Sequence, residues 1–82
     1  MSSIPVTLAP FFQEYDLAQL NLQRHADTII ERTLQFGNRA EIHWLFTQYS
    51  RPQIAAWLTR YAPERLPEPH NTFWRIILEV NA

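Results

Sequence analysis

Residues 38–61 read NRAEIHWLFTQYSRPQIAAWLTRY, and two helix starts are written into them. Asn38 stands three residues before Glu41, the spacing of a capping box, in which each side chain satisfies a backbone N–H of the other. Ser50 and Gln53 repeat that spacing with Pro52 inside the first turn, where a missing N–H costs nothing. After the first cap, Ile42, Leu45, Phe46 and Tyr49 share one helical face; after the second, Ile54, Trp57, Leu58 and Tyr61 do the same. Two short amphipathic helices joined by so tight a turn predict an αα corner.

Outward from that corner, the elements follow from punctuation and period. Pro5 and Pro10 predict an extended N-terminal arm over residues 1–15, pinned by Phe11, Phe12 and Tyr15. Residues 16–20 suit one helical turn capped by Asp16. Asn21 is expected to cap a long helix over 22–36, with Leu22, Ala26, Ile29, Ile30, Thr33 and Leu34 on its inner side. Gly37, the only glycine, is expected to end that helix in the left-handed conformation. Helices over 39–49 and 52–62 come next, and Pro63, Pro67 and Pro69 then interrupt regular structure. A last helix over 69–80 is apolar on most of its circumference: Phe73, Ile76, Ile77 and Val80 on one face, Trp74 and Leu78 on another. Either it is the central helix of the bundle or its second face is an interface. The expected fold is all-α, a compact four-helix domain over 16–82 with a helix-turn-helix-like central pair, preceded by the arm.

Composition sets the physical terms. Eighty-two residues make one small domain, and without cysteine it has neither a disulfide nor a thiolate metal site to stiffen it. Stability must come from large side chains, and there are three Trp, three Tyr and five Phe. Only 18% of residues are charged, against about 25% in ordinary domains, so a chain this aromatic has apolar surface to offer a partner. A net charge of -1 and the absence of lysine oppose non-specific attraction to a phosphate backbone. The opening MSSIPVTLAPFF lacks the basic region and apolar run of a signal peptide, and there is no long apolar span, so a cytoplasmic protein is expected.

Signals for catalysis are poor. There is no glycine-rich phosphate loop, no GxSxG turn and no HExxH pair. His25, His43 and His70 fall on three different elements without ligand spacing, so neither a metal nor a cofactor is expected. Asp27, Glu31 and Glu41 have the spacing of solvated helix faces. No enzyme is predicted.

Two binding readings remain. As a helix-turn-helix, residues 50–61 would be the recognition helix, with Arg51, Gln53, Ala56, Thr59 and Arg60 presented to DNA. Phosphate contacts would then fall to Arg39, Arg51, Arg60 and Arg65 or Arg75, in a field diluted by Glu41, Glu64 and Glu68. As a protein-interaction module, Phe11, Phe12, Arg39, Trp44, Arg51 and Trp74 are the candidate anchors, because Trp and Arg dominate interface hot spots. Trp44 points away from the apolar face of its helix, so it is either covered by the arm beside Phe11 and Phe12 or exposed to a partner.

The order Leu20-Asn21, His25, Ile29-Ile30-Glu31-Arg32-Thr33-Leu34, Gly37, Trp44-Leu45, Tyr49, Ile54, Leu66-Pro67 and Phe73-Trp74 resembles a group of small bacterial helical proteins. Members of that group are found beside AbiEii-type nucleotidyltransferase toxins and are regarded as candidate antitoxins. The resemblance spans residues 15–80, and IIERTLQFG and the late FW pair are its most specific pieces. It departs at Phe11 to Asp16, where the match is loose, and at Asn21, which stands for an aspartate cap. The resemblance implies a cytoplasmic protein partner, a toxin encoded nearby. The expected function is therefore an antitoxin-type interaction module, with an operon-binding regulator or a homodimeric structural subunit as alternatives.

Overall fold

The computed structural model describes residues 4–62 and 64–79. Among them every regular element is helical: α1 (Ala26–Phe36), α2 (Arg39–Gln48), α3 (Arg51–Tyr61) and α4 (His70–Leu78), preceded by 3₁₀ segments at Val6–Phe12 and Leu17–Gln19. The expected all-α class is what the chain adopts. Pro63 and Val80 lie outside the described residues.

The N-terminal segment differs from expectation. Val6–Phe12 coils into a 3₁₀ helix with Pro10 inside it, and it packs along α1 instead of running extended. Proline's fixed φ suits a 3₁₀ turn as well as an extended strand, and burial of Leu8 and Phe12 decides between them. Asp16 caps the next turn by accepting from Ala18 N. Asn21 Oδ1 accepts from Gln23 N and Arg24 N, so the predicted cap is made, but residues 22–25 form turns and the α-helix begins at Ala26.

The central element is α1, which touches the N-terminal segment, α2, α3 and α4. It buries Ile29, Ile30, Thr33 and Leu34. The expected central pair, α2 and α3, and the last helix, α4, instead lie around it. The two predicted starts are both present. Asn38 Oδ1 accepts from Glu41 N at 2.8 Å, and Glu41 Oε1 accepts from Asn38 N at 2.7 Å. Ser50 Oγ accepts from Gln53 N at 3.2 Å, with Pro52 in the first turn. Glu41 does not lie on a solvated face: it is buried, and its Oε2 also accepts a hydrogen bond from the Thr7 hydroxyl.

Gly37 ends α1 differently from the left-handed cap. Its φ of -68° and ψ of 144° are extended, and its N–H donates to Thr33 O. Glycine is required there for space, because a Cβ would lie 2.5 Å from that same carbonyl oxygen. The left-handed residue is Glu79, at φ 56° and ψ 42°, which closes α4. Tyr49 ties the far end of α2 to the start of the domain by donating from its hydroxyl to Leu22 O at 2.5 Å, and burial pushes its phenol up to about 12.

Candidate interaction surface

Helix α4 has two apolar faces, and the fold uses one. Asn71, Trp74 and Leu78 turn inward, while Phe73, Ile76 and Ile77 remain 53%, 70% and 42% exposed. Their i, i+3, i+4 spacing makes a continuous stripe. Burial is assigned by a hydrogen bond as well as by packing: Trp74 Nε1–H donates to Leu34 O at 3.0 Å, fixing that ring against the end of α1. Phe73 then stands edge-on to Trp74 at 5.0 Å, outside the core.

Polar groups frame the stripe at both ends. At its N-terminal end the Glu68 carboxylate accepts from Thr72 N and Asn71 Nδ2, and hydrogen bonding from Thr72, through side chain and backbone, lowers its pKa. At its C-terminal end Arg51 reaches across from α3 and donates to Ile77 O at 2.9 Å, in the last turn of α4.

The predicted anchors are not brought together in one place. Phe12 and Trp74 are enclosed in the protein's own core. Phe11 is half-buried and stacks on the exposed ring of Phe36, 4.9 Å away and almost parallel. Trp44 is half-buried against the core, with its Nε1 atom buried and without a hydrogen-bond partner. Arg39 is exposed on the first turn of α2, and Arg51 is exposed with its guanidinium on α4. Ile76 and Ile77 are not among the predicted anchors, although the helical period sets them beside Phe73; period alone does not say which face turns inward, and the buried one carries Asn71, Trp74 and Leu78.

The outward residues of α3 are accessible: Arg51, Gln53, Thr59 and Arg60 are all exposed. Gln53 and Arg60 also line an open groove of about 290 Å³ between α1 and α3, with Asp27, Trp57 and Tyr61. Several arginines also make contacts within the molecule. Arg32 pairs with Glu14 and Arg65 with Glu31, Arg75 donates to Asn71 Oδ1, and Arg60 lies 5.6 Å from the centre of the Tyr61 ring. With Arg51 on Ile77 O, five of the seven arginines are engaged in internal contacts. α2 and α3 make at most marginal contact with each other, each packing mainly elsewhere.

The histidines also lie apart. His25 Nδ1 accepts from Asn21 N at 2.8 Å beneath the edge of Tyr15, His43 is exposed on α2, and His70 opens α4. Among the described residues no three His, Asp or Glu side chains converge. No helix among them is long and apolar enough to cross a membrane.

A family model described as a family of unknown function (DUF6922) matches residues 8–58. No curated protein and no solved structure matches the chain.

Proposed function

This chain belongs to the family of unknown function DUF6922, and we propose that it serves as a non-enzymatic protein-interaction module that docks through α4. The observation that carries this reading is the exposed stripe of Phe73, Ile76 and Ile77 on a helix whose other face is firmly seated. Large side chains held outside the core on a rigid helix present apolar area at little further cost in conformational entropy. The partner assigned on the sequence resemblance is a nucleotidyltransferase-like toxin encoded beside the chain, which makes the module an antitoxin acting by contact. Arg39 and Trp44, together on α2, are retained as secondary contacts.

The experiment is co-expression of the tagged chain with the product of the adjacent gene, in parent form and as Phe73→Ala and Ile76→Asp variants. Recovery of a stoichiometric complex with the parent and its loss with both variants supports the reading. Recovery unaffected by either variant removes α4 from it, and absence of any complex removes the antitoxin.

The helix-turn-helix regulator is kept as a second reading for one reason: Gln53, Thr59 and Arg60 are all presented outward on α3. The net charge of -1, and the ion pairs that neutralise Arg32 and Arg65, weigh against it, since a specific binder needs several cations for phosphate. Binding of the operon's promoter duplex with steep salt dependence, lost in an Arg51→Ala, Arg60→Ala double variant, would restore it.

A further inference from the structure

We propose that the turn at residues 21–25 is a proton-sensitive cap, closed while the His25 imidazole is neutral and opened when it takes up a proton.

The chain contains two asparagine caps, and in each a side chain from further along returns to the backbone N–H of the asparagine. Asn38 N donates to the Glu41 carboxylate, and Asn21 N donates to His25 Nδ1 at 2.8 Å. The asparagine oxygens accept in the other direction, from Glu41 N in the first cap and from Gln23 N and Arg24 N in the second. His25 N also donates to Asn21 O at 2.8 Å, so backbone and side chain of His25 both close on the same residue.

The two returning acceptors differ in chemistry. A carboxyl keeps an accepting oxygen even when protonated, whereas an imidazole nitrogen accepts only while it carries no proton. An imidazole also changes its charge between about pH 5 and 8, where carboxylates stay ionised. In the imidazolium form both ring nitrogens are donors, so an Nδ1–H would meet the Asn21 N–H, donor against donor. The ring then has to leave the cap, and Asn21 N loses its acceptor.

The turn is also a junction. From the N-terminal segment, Tyr15 stands edge-on to the His25 ring at 6.2 Å, and Arg32 of α1, paired with Glu14, lies 5.6 Å from the centre of the Tyr15 ring. From the end of α2, the Tyr49 hydroxyl bonds to Leu22 O inside the turn. Arg24 and Asp27 flank His25 in the chain, and Asp27 accepts from the Tyr61 hydroxyl of α3. Both carboxylates thus already have partners, and neither supplies the acceptor that Asn21 N would lose. Opening therefore loosens the N-terminal segment and the end of α2 at one place, while Ile29, Ile30 and Leu34 stay buried in the core.

Amide hydrogen exchange on the full chain at about pH 7.5 and about pH 5.5, in the parent and in His25→Asn, tests this. The Oδ1 of an asparagine stands one bond beyond Cγ, as Nδ1 does, and takes up no proton in this range. Comparing the two proteins at the same pH cancels the intrinsic pH dependence of exchange. The Asn21 amide should exchange at similar rates in both at the higher pH and about fivefold faster in the parent at the lower, the size of one net hydrogen bond. His25→Leu, which has no acceptor, should exchange faster than the parent already at the higher pH. Equal rates for parent and His25→Asn at both pH values overturn the proposal, as does a His25→Leu protein whose Asn21 amide is protected like the parent's. Should His25→Asn fail to close the turn, the parent decides alone by NMR. Tyr15 and Tyr49 ring signals that move together with the titration of His25 support the cap, and ring signals that stay fixed through it overturn it.

Discussion

Trp74 donates its indole N–H to the carbonyl of Leu34, 40 residues earlier, inside the core. That carbonyl lies in the last turn of α1, where the regular donor would be the N–H of Asn38. Asn38 N instead donates to Glu41 Oε1, because it belongs to the capping box of α2. The start of one helix thus takes a donor from the end of another, and a third helix replaces it. Trp74→Phe should leave the Leu34 oxygen buried without a partner and lower stability by about 1–3 kcal/mol. Urea unfolding followed by circular dichroism should show a lower midpoint with an unchanged slope. A midpoint equal to that of the parent would mean water or another donor reaches Leu34.

Glu41 is held by both the cap and the N-terminal segment. Its two oxygens receive Asn38 N and the Thr7 hydroxyl, so one buried carboxylate joins α2 to the 3₁₀ helix at Val6–Phe12. Glu41→Ala should cost about 2 kcal/mol, from a lost cap and two donors left without an acceptor. Glu41→Gln keeps an oxygen for Asn38 and should cost less. Thermal unfolding of the three proteins side by side gives the order parent, Gln, Ala; equal losses for Gln and Ala would assign the whole effect to charge.

Glycine and the left-handed conformation are separated in this chain, and paired substitutions show it. Gly37→Ala keeps a permitted backbone but drives its Cβ to 2.5 Å from Thr33 O, an overpacking of about 1–3 kcal/mol. Glu79→Gly relieves a non-glycine residue at φ 56° and should raise stability by roughly 1 kcal/mol. Melting temperatures should therefore move in opposite directions.

These positions also mark where sequence stops being informative. Asn38–Glu41 and Ser50–Gln53 were legible because a cap is a local bond between near neighbours, complete within one turn of chain. Gly37 was misleading because its reason is a collision with a carbonyl of the preceding helix, and a lone glycine after a helix reads the same whether it supplies φ or space. Glu41 was legible as a cap and not as a buried group, since Thr7 lies 34 residues away. In α4 the period showed two apolar faces without ranking them. Phe73, Ile76 and Ile77 face outward because Asn71, Trp74 and Leu78 form the buried face, and the bond from Trp74 to Leu34 on that face has no signature in the spacing of α4 itself.

Arg32 fastens the N-terminal segment to α1, and its grip should loosen in acid. Its guanidinium meets Glu14 through both Nη atoms, donates from Nη1 to Phe11 O at 2.9 Å, and lies 5.5 and 5.6 Å from the ring centres of Phe12 and Tyr15. The hydrogen bonds from Arg32 are the main reason the Glu14 carboxyl falls from 4.5 to about 2. A carboxylate with a lowered folded pKa stabilises the fold above its unfolded value, and that contribution is lost as pH falls through the folded one. Glu14→Gln should therefore melt below the parent at pH 7, with the gap narrowing from about pH 4.5 and closing near pH 2. Carbon-detected NMR of the Glu14 carboxyl should place its midpoint near the lower figure. Because the bonded pair ties residues 11–14 to α1, limited proteolysis in the arm should also speed up in Arg32→Lys, whose ammonium cannot make the two-point contact. A melting gap that is the same at pH 2 and pH 7 would show that Glu14 acts through packing and not through charge.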